Sequence, residues 1–103
     1  MSTFPLPEVN EFFDERFIIS WNLMQPLNFP PLKNLLIQIS GVPQLIFNPL
    51  QDSKLKIAEL DENQIIVNWV IQKPKIKTEV TLSIQNEIIS EEYTLILNPE
   101  TSI

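Results

Sequence analysis

The run Ile76-Lys77-Thr78-Glu79-Val80-Thr81-Leu82-Ser83-Ile84-Gln85 decides how the rest of the chain is read. Ile76, Thr78, Val80, Leu82 and Ile84 alternate with Lys77, Glu79, Thr81, Ser83 and Gln85. That period of two belongs to a strand with one face buried. Outward from it, the same signature recurs. Towards the C-terminus, Glu92–Asn98 places Tyr93, Leu95 and Leu97 on one side. Towards the N-terminus, Gln64–Gln72 aligns Ile65, Val67, Trp69 and Ile71, and Lys54–Leu60 puts Leu55 and Ile57 inward. Gln44–Asn48 is a short piece with Leu45 and Phe47 inward, Asn34–Ser40 groups Leu35, Ile37 and Ile39, and Arg16–Met24 groups Phe17, Ile19, Trp21 and Leu23.

These segments predict about seven strands separated by turn signals, the pattern of an all-β antiparallel sandwich or small barrel. Prolines punctuate the pattern between apolar runs. Asp61-Glu62-Asn63 reads as a hairpin loop, and the last turn falls either at Asn86-Glu87 or at Ser90-Glu91. Residues 7–16 are the one helical candidate, with Pro7 at the first helical position and Val9, Phe12 and Phe13 on one side. No helical pattern connects the strands, which argues against a parallel α/β fold. The expectation is a single antiparallel β-sandwich domain over residues 1–103, immunoglobulin-like, with residues 1–15 an N-terminal arm or short helix.

The chain has 103 residues, a length that fits one domain. It contains no cysteine and no histidine, one glycine and one alanine. Disulfide scaffolds, thiolate or imidazole metal sites, and histidine-based catalytic triads are thereby excluded. One glycine cannot build a phosphate-cradling loop. The apolar residues are mostly bulky, with 15 Ile, 13 Leu, 6 Phe and 5 Val. A small domain exposes a large share of its surface, so that much aliphatic bulk is hard to hide.

Net charge is −6, unevenly spread. Residues 8–16 and 78–103 are acidic, whereas residues 33–77 hold six lysines against four acids. Such a chain is a poor nucleic-acid binder, since phosphate affinity comes from clustered Lys and Arg. Acidic ends around a basic middle could steer contacts between copies. The first residues lack the basic and apolar segments of a secretory signal, and no apolar run approaches a membrane span, so a cytoplasmic location is expected.

Three acidic pairs, Asp14-Glu15, Asp61-Glu62 and Glu91-Glu92, have the residue types of acid–base or calcium chemistry. Neighbours on a strand point to opposite faces, however, so a pair by itself makes no site. Ser53-Lys54 is the only serine beside a lysine, a poor arrangement for a nucleophile and its base. No catalytic, cofactor or metal-binding residue is therefore expected. Lys73, Lys75 and Lys77 share one face of an extended segment around Pro74; they could bind a phosphate or an acidic partner segment, or block unwanted edge pairing. Trp21 and Trp69 read as core, and the Asn28-Phe29-Pro30-Pro31-Leu32 loop as a docking edge or a stiff crossover.

The faces opposite the core stripes carry Ile18, Met24, Leu36, Ile46, Ile66, Val70, Ile88 and Ile96, where a half-solvated sheet should be polar. Burying one such side chain is worth roughly 1.5–3 kcal/mol. Either another chain or another copy covers part of this face, or the N-terminal segment with Phe4, Leu6, Phe12 and Phe13 folds over it.

Glu92-Tyr93-Thr94-Leu95-Ile96-Leu97-Asn98-Pro99 resembles the closing strand of an N-terminal β-domain in a family of bacterial type IV pilus assembly proteins of the inner membrane. Ser20-Trp21-Asn22-Leu23-Met24-Gln25-Pro26-Leu27 is similar to that domain's early strand. The resemblance covers about sixteen residues and implies an all-β fold, with no function carried across. The chain departs from the family in its shorter middle.

The functional expectation is a non-catalytic protein–protein contact domain or structural subunit, binding a protein partner or its own copies. Its contact residues are expected among Ile18, Leu36, Ile66 and Val70, the loop Phe29, Pro30 and Pro31, and Lys73, Lys75 and Lys77, with edge addition by the last strand as one mode. The alternative is a small module holding an apolar ligand between its sheets, which would require a cavity of roughly 300 Å³ or more.

Overall fold

The computed structural model of the chain describes residues 3–12, 14–42, 44–50, 57–58 and 64–99. Eight strands occur among them: β1 (Glu8–Phe12), β2 (Arg16–Leu23), β3 (Leu35–Ser40), β4 (Leu45–Phe47), β5 (Ile57–Ala58), β6 (Ile65–Gln72), β7 (Thr78–Gln85) and β8 (Ser90–Leu97). They form two four-stranded sheets, ordered β1-β2-β6-β4 and β5-β3-β7-β8, and every pairing is antiparallel. Among the described residues there is no helix, and hence none long and apolar enough to cross a membrane.

The alternation read from sequence places the core. Phe17, Ile19, Trp21 and Leu23 of β2, Val67, Trp69 and Ile71 of β6, Leu35 and Ile37 of β3, Val80, Leu82 and Ile84 of β7, and Tyr93 and Leu97 of β8 are buried in one cluster. Each strand contributes alternate residues to it, as a sandwich requires. Trp21 from the first sheet meets Tyr93 from the second edge-to-face at 5.0 Å. Six long strands keep the neighbours of an immunoglobulin sandwich, β1-β2-β6 as A-B-E and β3-β7-β8 as C-F-G. The strand beside β6 (β4) here precedes the strand beside β3 (β5), the reverse of the immunoglobulin order. The all-β sandwich is what the pairing establishes; the immunoglobulin-like type is not.

Four expectations are corrected. Residues 8–12 form strand β1 instead of a helix, paired over five positions with β2. A helix of that length is marginal alone, while the β2 edge offers a ready ladder for the same backbone groups. Ile76, expected inward, lies before β7 and is 75 % exposed. Lys73, Lys75 and Lys77 do not share a strand face, because residues 73–77 connect β6 in one sheet to β7 in the other. Phe47, expected inward, is exposed because the register slips between Leu45, opposite Ile71, and Phe47, opposite Val70. A one-residue slip moves a side chain to the other face.

The last turn spans Asn86–Ile89, the first of the two expected positions. Asn86 holds it: its Oδ1 accepts from the N–H groups of Ile88 and Ile89, and its N–H donates to the Ile89 carbonyl. The Asp61-Glu62-Asn63 hairpin and most of the Lys54–Leu60 strand lie outside the described residues. The single glycine, Gly41, follows β3 at φ 84°, where a Cβ would stand 2.6 Å from the Glu79 carbonyl oxygen.

Candidate functional site: the outer face of the first sheet

The register across the first sheet fixes which side chains share its solvent face. Asn10, Ile18, Val70 and Phe47 stand in one row across β1, β2, β6 and β4. Phe12, Arg16 and Gln72 form the next row on one side, and Glu8, Ser20 and Asn68 the next on the other. Directly opposed side chains touch, and diagonal ones are within reach of an aromatic ring. Ile18, Val70 and Phe47 therefore make an apolar stripe over three strands, extended diagonally by Phe12. Phe47 is 55 % exposed and Phe12 42 %, while Ile18 and Val70 are half-buried by their neighbours. Ile66, 55 % exposed, lies further along β6 opposite Asn22.

A polar pair, Ser20–Asn68, bounds the stripe on one side and separates it from Ile66, beside which Gln64 and Asn22 form a second pair. Ser20 Oγ donates to Asn68 Oδ1 at 2.6 Å, and Gln64 Nε2 donates to Asn22 Oδ1 at 2.6 Å. An apolar centre with a polar rim is the anatomy of a protein contact surface. The outer face of the second sheet is different. Over β3, β7 and β8, Gln38, Ser40, Glu79, Thr81, Ser83, Gln85, Ser90, Glu92 and Thr94 occupy it, with Leu36, in register with Ile57 of β5, and Ile96 at separate positions.

Of the expected contact residues, the fold thus brings Ile18, Val70 and Ile66 to one face and sends Leu36 to the opposite side of the molecule. Phe12 and Phe47 were not among them. Phe12 was assigned to a helix and Phe47 to the core, and no signal in the sequence marks the bulge in β4 that turns Phe47 outward. Among the described residues the N-terminal segment does not fold over the stripe: Phe4 is buried in the core, Leu6 remains 70 % exposed and Phe12 joins the stripe's edge, while Phe13 lies outside the described residues.

The Pro30-Pro31 segment belongs to the crossover from β2 to β3, between the two sheets. Gln25 staples it, donating from Nε2 to the Pro30 carbonyl at 3.0 Å and the Phe29 carbonyl at 3.3 Å, and accepting from Leu32 N–H at 2.9 Å. Leu32 is fully buried beneath it. The stiff-crossover reading fits these contacts; Phe29, Pro30 and Pro31 still present their outer edges to solvent. Pro31, Lys33 and Asn34 face Asn86, Glu87 and Ile88 across an open groove of about 240 Å³.

Lys73 is committed locally. Its ammonium lies 3.4 Å from Glu11 Oε1 and 5.6 Å from the centre of the Phe17 ring, capping one end of the core. Lys75 and Lys77 are exposed. Glu91 and Glu92 point to opposite sides of β8, as adjacent strand residues must, and Ser53, Lys54 and the Asp61-Glu62 pair lie outside the described residues. Among the described residues no three acidic side chains gather as metal ligands.

The most ordered polar cluster is on the inward side of β8. Glu91 accepts from Thr3 N–H at 2.8 Å, from the Thr3 hydroxyl, and from the Tyr93 hydroxyl, which itself accepts from Phe4 N–H at 3.1 Å. Burial pushes the Glu91 carboxyl up, but the bonds from Thr3 and Tyr93 outweigh it and leave the group below its usual 4.5. Burial, reinforced by the bond to Glu91, pushes the Tyr93 phenol up to about 12. Trp21 Nε1 donates to the Pro5 carbonyl at 3.2 Å, so residues 3–5 bridge β8 of one sheet to β2 of the other. These groups hold a chain segment in place.

Comparison with protein-family models, with curated proteins and with solved structures finds no match to this chain.

Proposed function

We propose that this chain is a non-catalytic protein–protein contact domain, a subunit or adaptor of a larger assembly, and that the outer face of its first sheet is the contact surface. The observation that supports the reading is the apolar row Ile18–Val70–Phe47, continued by Phe12 and bounded on one side by the hydrogen-bonded Ser20–Asn68 pair. A half-solvated antiparallel sheet alternates apolar-in and polar-out, as the second sheet of this molecule does. Exposed aromatic and aliphatic residues grouped in one row, as among the described residues of the first sheet, are what a partner would cover. The edge of β8, eight residues long, without proline and unpaired among the described strands, offers edge addition as a secondary mode.

Two paired variants test this. Val70→Asp/Phe47→Asp places charge on the stripe, and Thr81→Asp/Thr94→Asp places equal charge on the opposite face. Each is used as a tagged bait beside wild type, with sedimentation of the free proteins in parallel. The reading expects complexes or self-association that the first variant loses at least tenfold and the second retains. A wild-type monomer at high concentration, with the same proteins recovered by all three baits, overturns it.

A further inference from the structure

We infer that residues 3–12 are an exchangeable arm, and that a second copy of this chain can receive them in the same slot to give a swapped dimer. This goes beyond the contact face above and rests on the anchors of residues 3–5 and on the Phe12–Arg16 connection.

Among the described residues, the anchors of the arm lie on the far side of one short connection. Phe4 is buried edge-to-face against Trp21 at 6.3 Å. Thr3 is bound by Glu91, Phe4 N–H by Tyr93 and the Pro5 carbonyl by Trp21. Beyond them, β1 adds five residues to the β2 edge, with Val9 packed on the core. None of these contacts depends on which chain supplies the arm. An identical arm from a second copy would meet the same ring slot, the same three polar anchors and the same strand edge.

The difference between the closed and exchanged forms therefore resides in the connection from Phe12 to Arg16. In the closed form Asp14 and Glu15 adopt φ 57° and 56° in succession. Neither is glycine, and left-handed backbone is disfavoured for residues carrying a Cβ. The Glu15 carbonyl is pinned, accepting from Lys73 N–H at 2.8 Å and Gln72 Nε2 at 3.1 Å, so opening occurs on its N-terminal side. Extending the connection relieves both unfavourable dihedrals in each copy. Against that stands the high effective concentration of a tethered arm, of millimolar order for a short connection. Exchange should thus appear when the protein is concentrated to that range and opened by mild denaturant, as strained hinges elsewhere do.

The test uses the full chain in the Val70→Asp background, which removes association through the sheet face. After incubation at about millimolar concentration, in the effective-concentration range, and in subdenaturing urea, mass is measured by light scattering after gel filtration. The expected result is a dimer that persists for hours on dilution, since return requires Phe4 to leave the core. Asp14→Gly/Glu15→Gly relieves the closed connection and should raise the dimer dissociation constant at least about tenfold. Deleting Asp14 and Glu15 leaves one residue between paired Phe12 and Arg16, fewer than the two of the tightest hairpins, and should give dimer alone. A wild-type arm that yields no slowly dissociating dimer, or a glycine variant that dimerises as well or better, overturns the inference. So does a deletion variant that folds as a monomer.

Discussion

Replacing Asn48 by alanine tests whether one side chain outside the core holds a core tryptophan. Asn48 follows the short strand β4, and its Oδ1 accepts from Trp69 Nε1 at 3.1 Å and from Leu50 N–H at 3.0 Å. Trp69 has no exposed surface, so its indole N–H depends on this acceptor. A hydrogen bond contributes about 0.5–1.5 kcal/mol net, and a buried donor left alone costs about 1–3 kcal/mol. Asn48 is itself half-buried, so water entering the vacated space restores part of the loss. The expected cost of Asn48→Ala is about 2 kcal/mol, a large part of the roughly 5–15 kcal/mol of a domain. At about 4–8 °C per kcal/mol for a chain of this size, the melting temperature falls by about 10 °C. Urea unfolding followed by tryptophan fluorescence measures it. Asn48→Asp keeps the oxygen and should stay within about 0.5 kcal/mol of wild type. In a cycle with Trp69→Phe, where Trp21 still reports, the double variant should cost about 1 kcal/mol less than the two single costs added. Strict additivity, or an alanine variant as stable as wild type, would refute the assignment.

Gly41→Ala should cost about 2 kcal/mol or more in urea unfolding, because the new Cβ meets the Glu79 carbonyl oxygen at a backbone φ that alanine resists; a neutral effect would show that the β3 end yields freely. Acid sensitivity should carry a contribution from Glu91. Its folded-state pKa lies below the ordinary 4.5, so the stability it supplies is complete above that pH and disappears as the pH falls through the lower folded value. Urea midpoints measured from pH 6 to pH 3 should therefore fall more steeply for wild type than for Glu91→Gln, and parallel profiles would refute the role given to the Thr3–Glu91–Tyr93 cluster.

How much of this could be read beforehand differs by element. The inward residues of β2, β3, β6, β7 and β8 were legible because burial on one side of a pleated strand demands period two, and the chain keeps it without interruption. Asn86 as the last turn was one of two readings, decided by a side chain that bonds its own backbone. Residues 8–12 were misread because Val9, Phe12 and Phe13 fit a helical spacing, and only an available β2 edge makes the extended form win. Phe47 was misplaced for a related reason: a bulge changes face without changing composition. The contact face was legible in part, through Ile18, Ile66 and Val70, but Leu36 belongs to the other sheet.

Alternating Ile, Leu, Val and aromatic residues, with prolines between them, were sufficient by themselves to specify strands, their buried sides and the absence of histidine- or cysteine-based chemistry. Those properties are local, set by backbone geometry and residue type. Which strands lie side by side was settled only by tertiary pairing, because one apolar strand edge looks like another until the connections choose. That pairing set Ile18, Val70 and Phe47 in one row, separated Leu36 from them, and brought Trp21 and Tyr93 together where Phe4 meets both. A surface is a relation between strands distant in sequence, so it exists only once the sheets have formed.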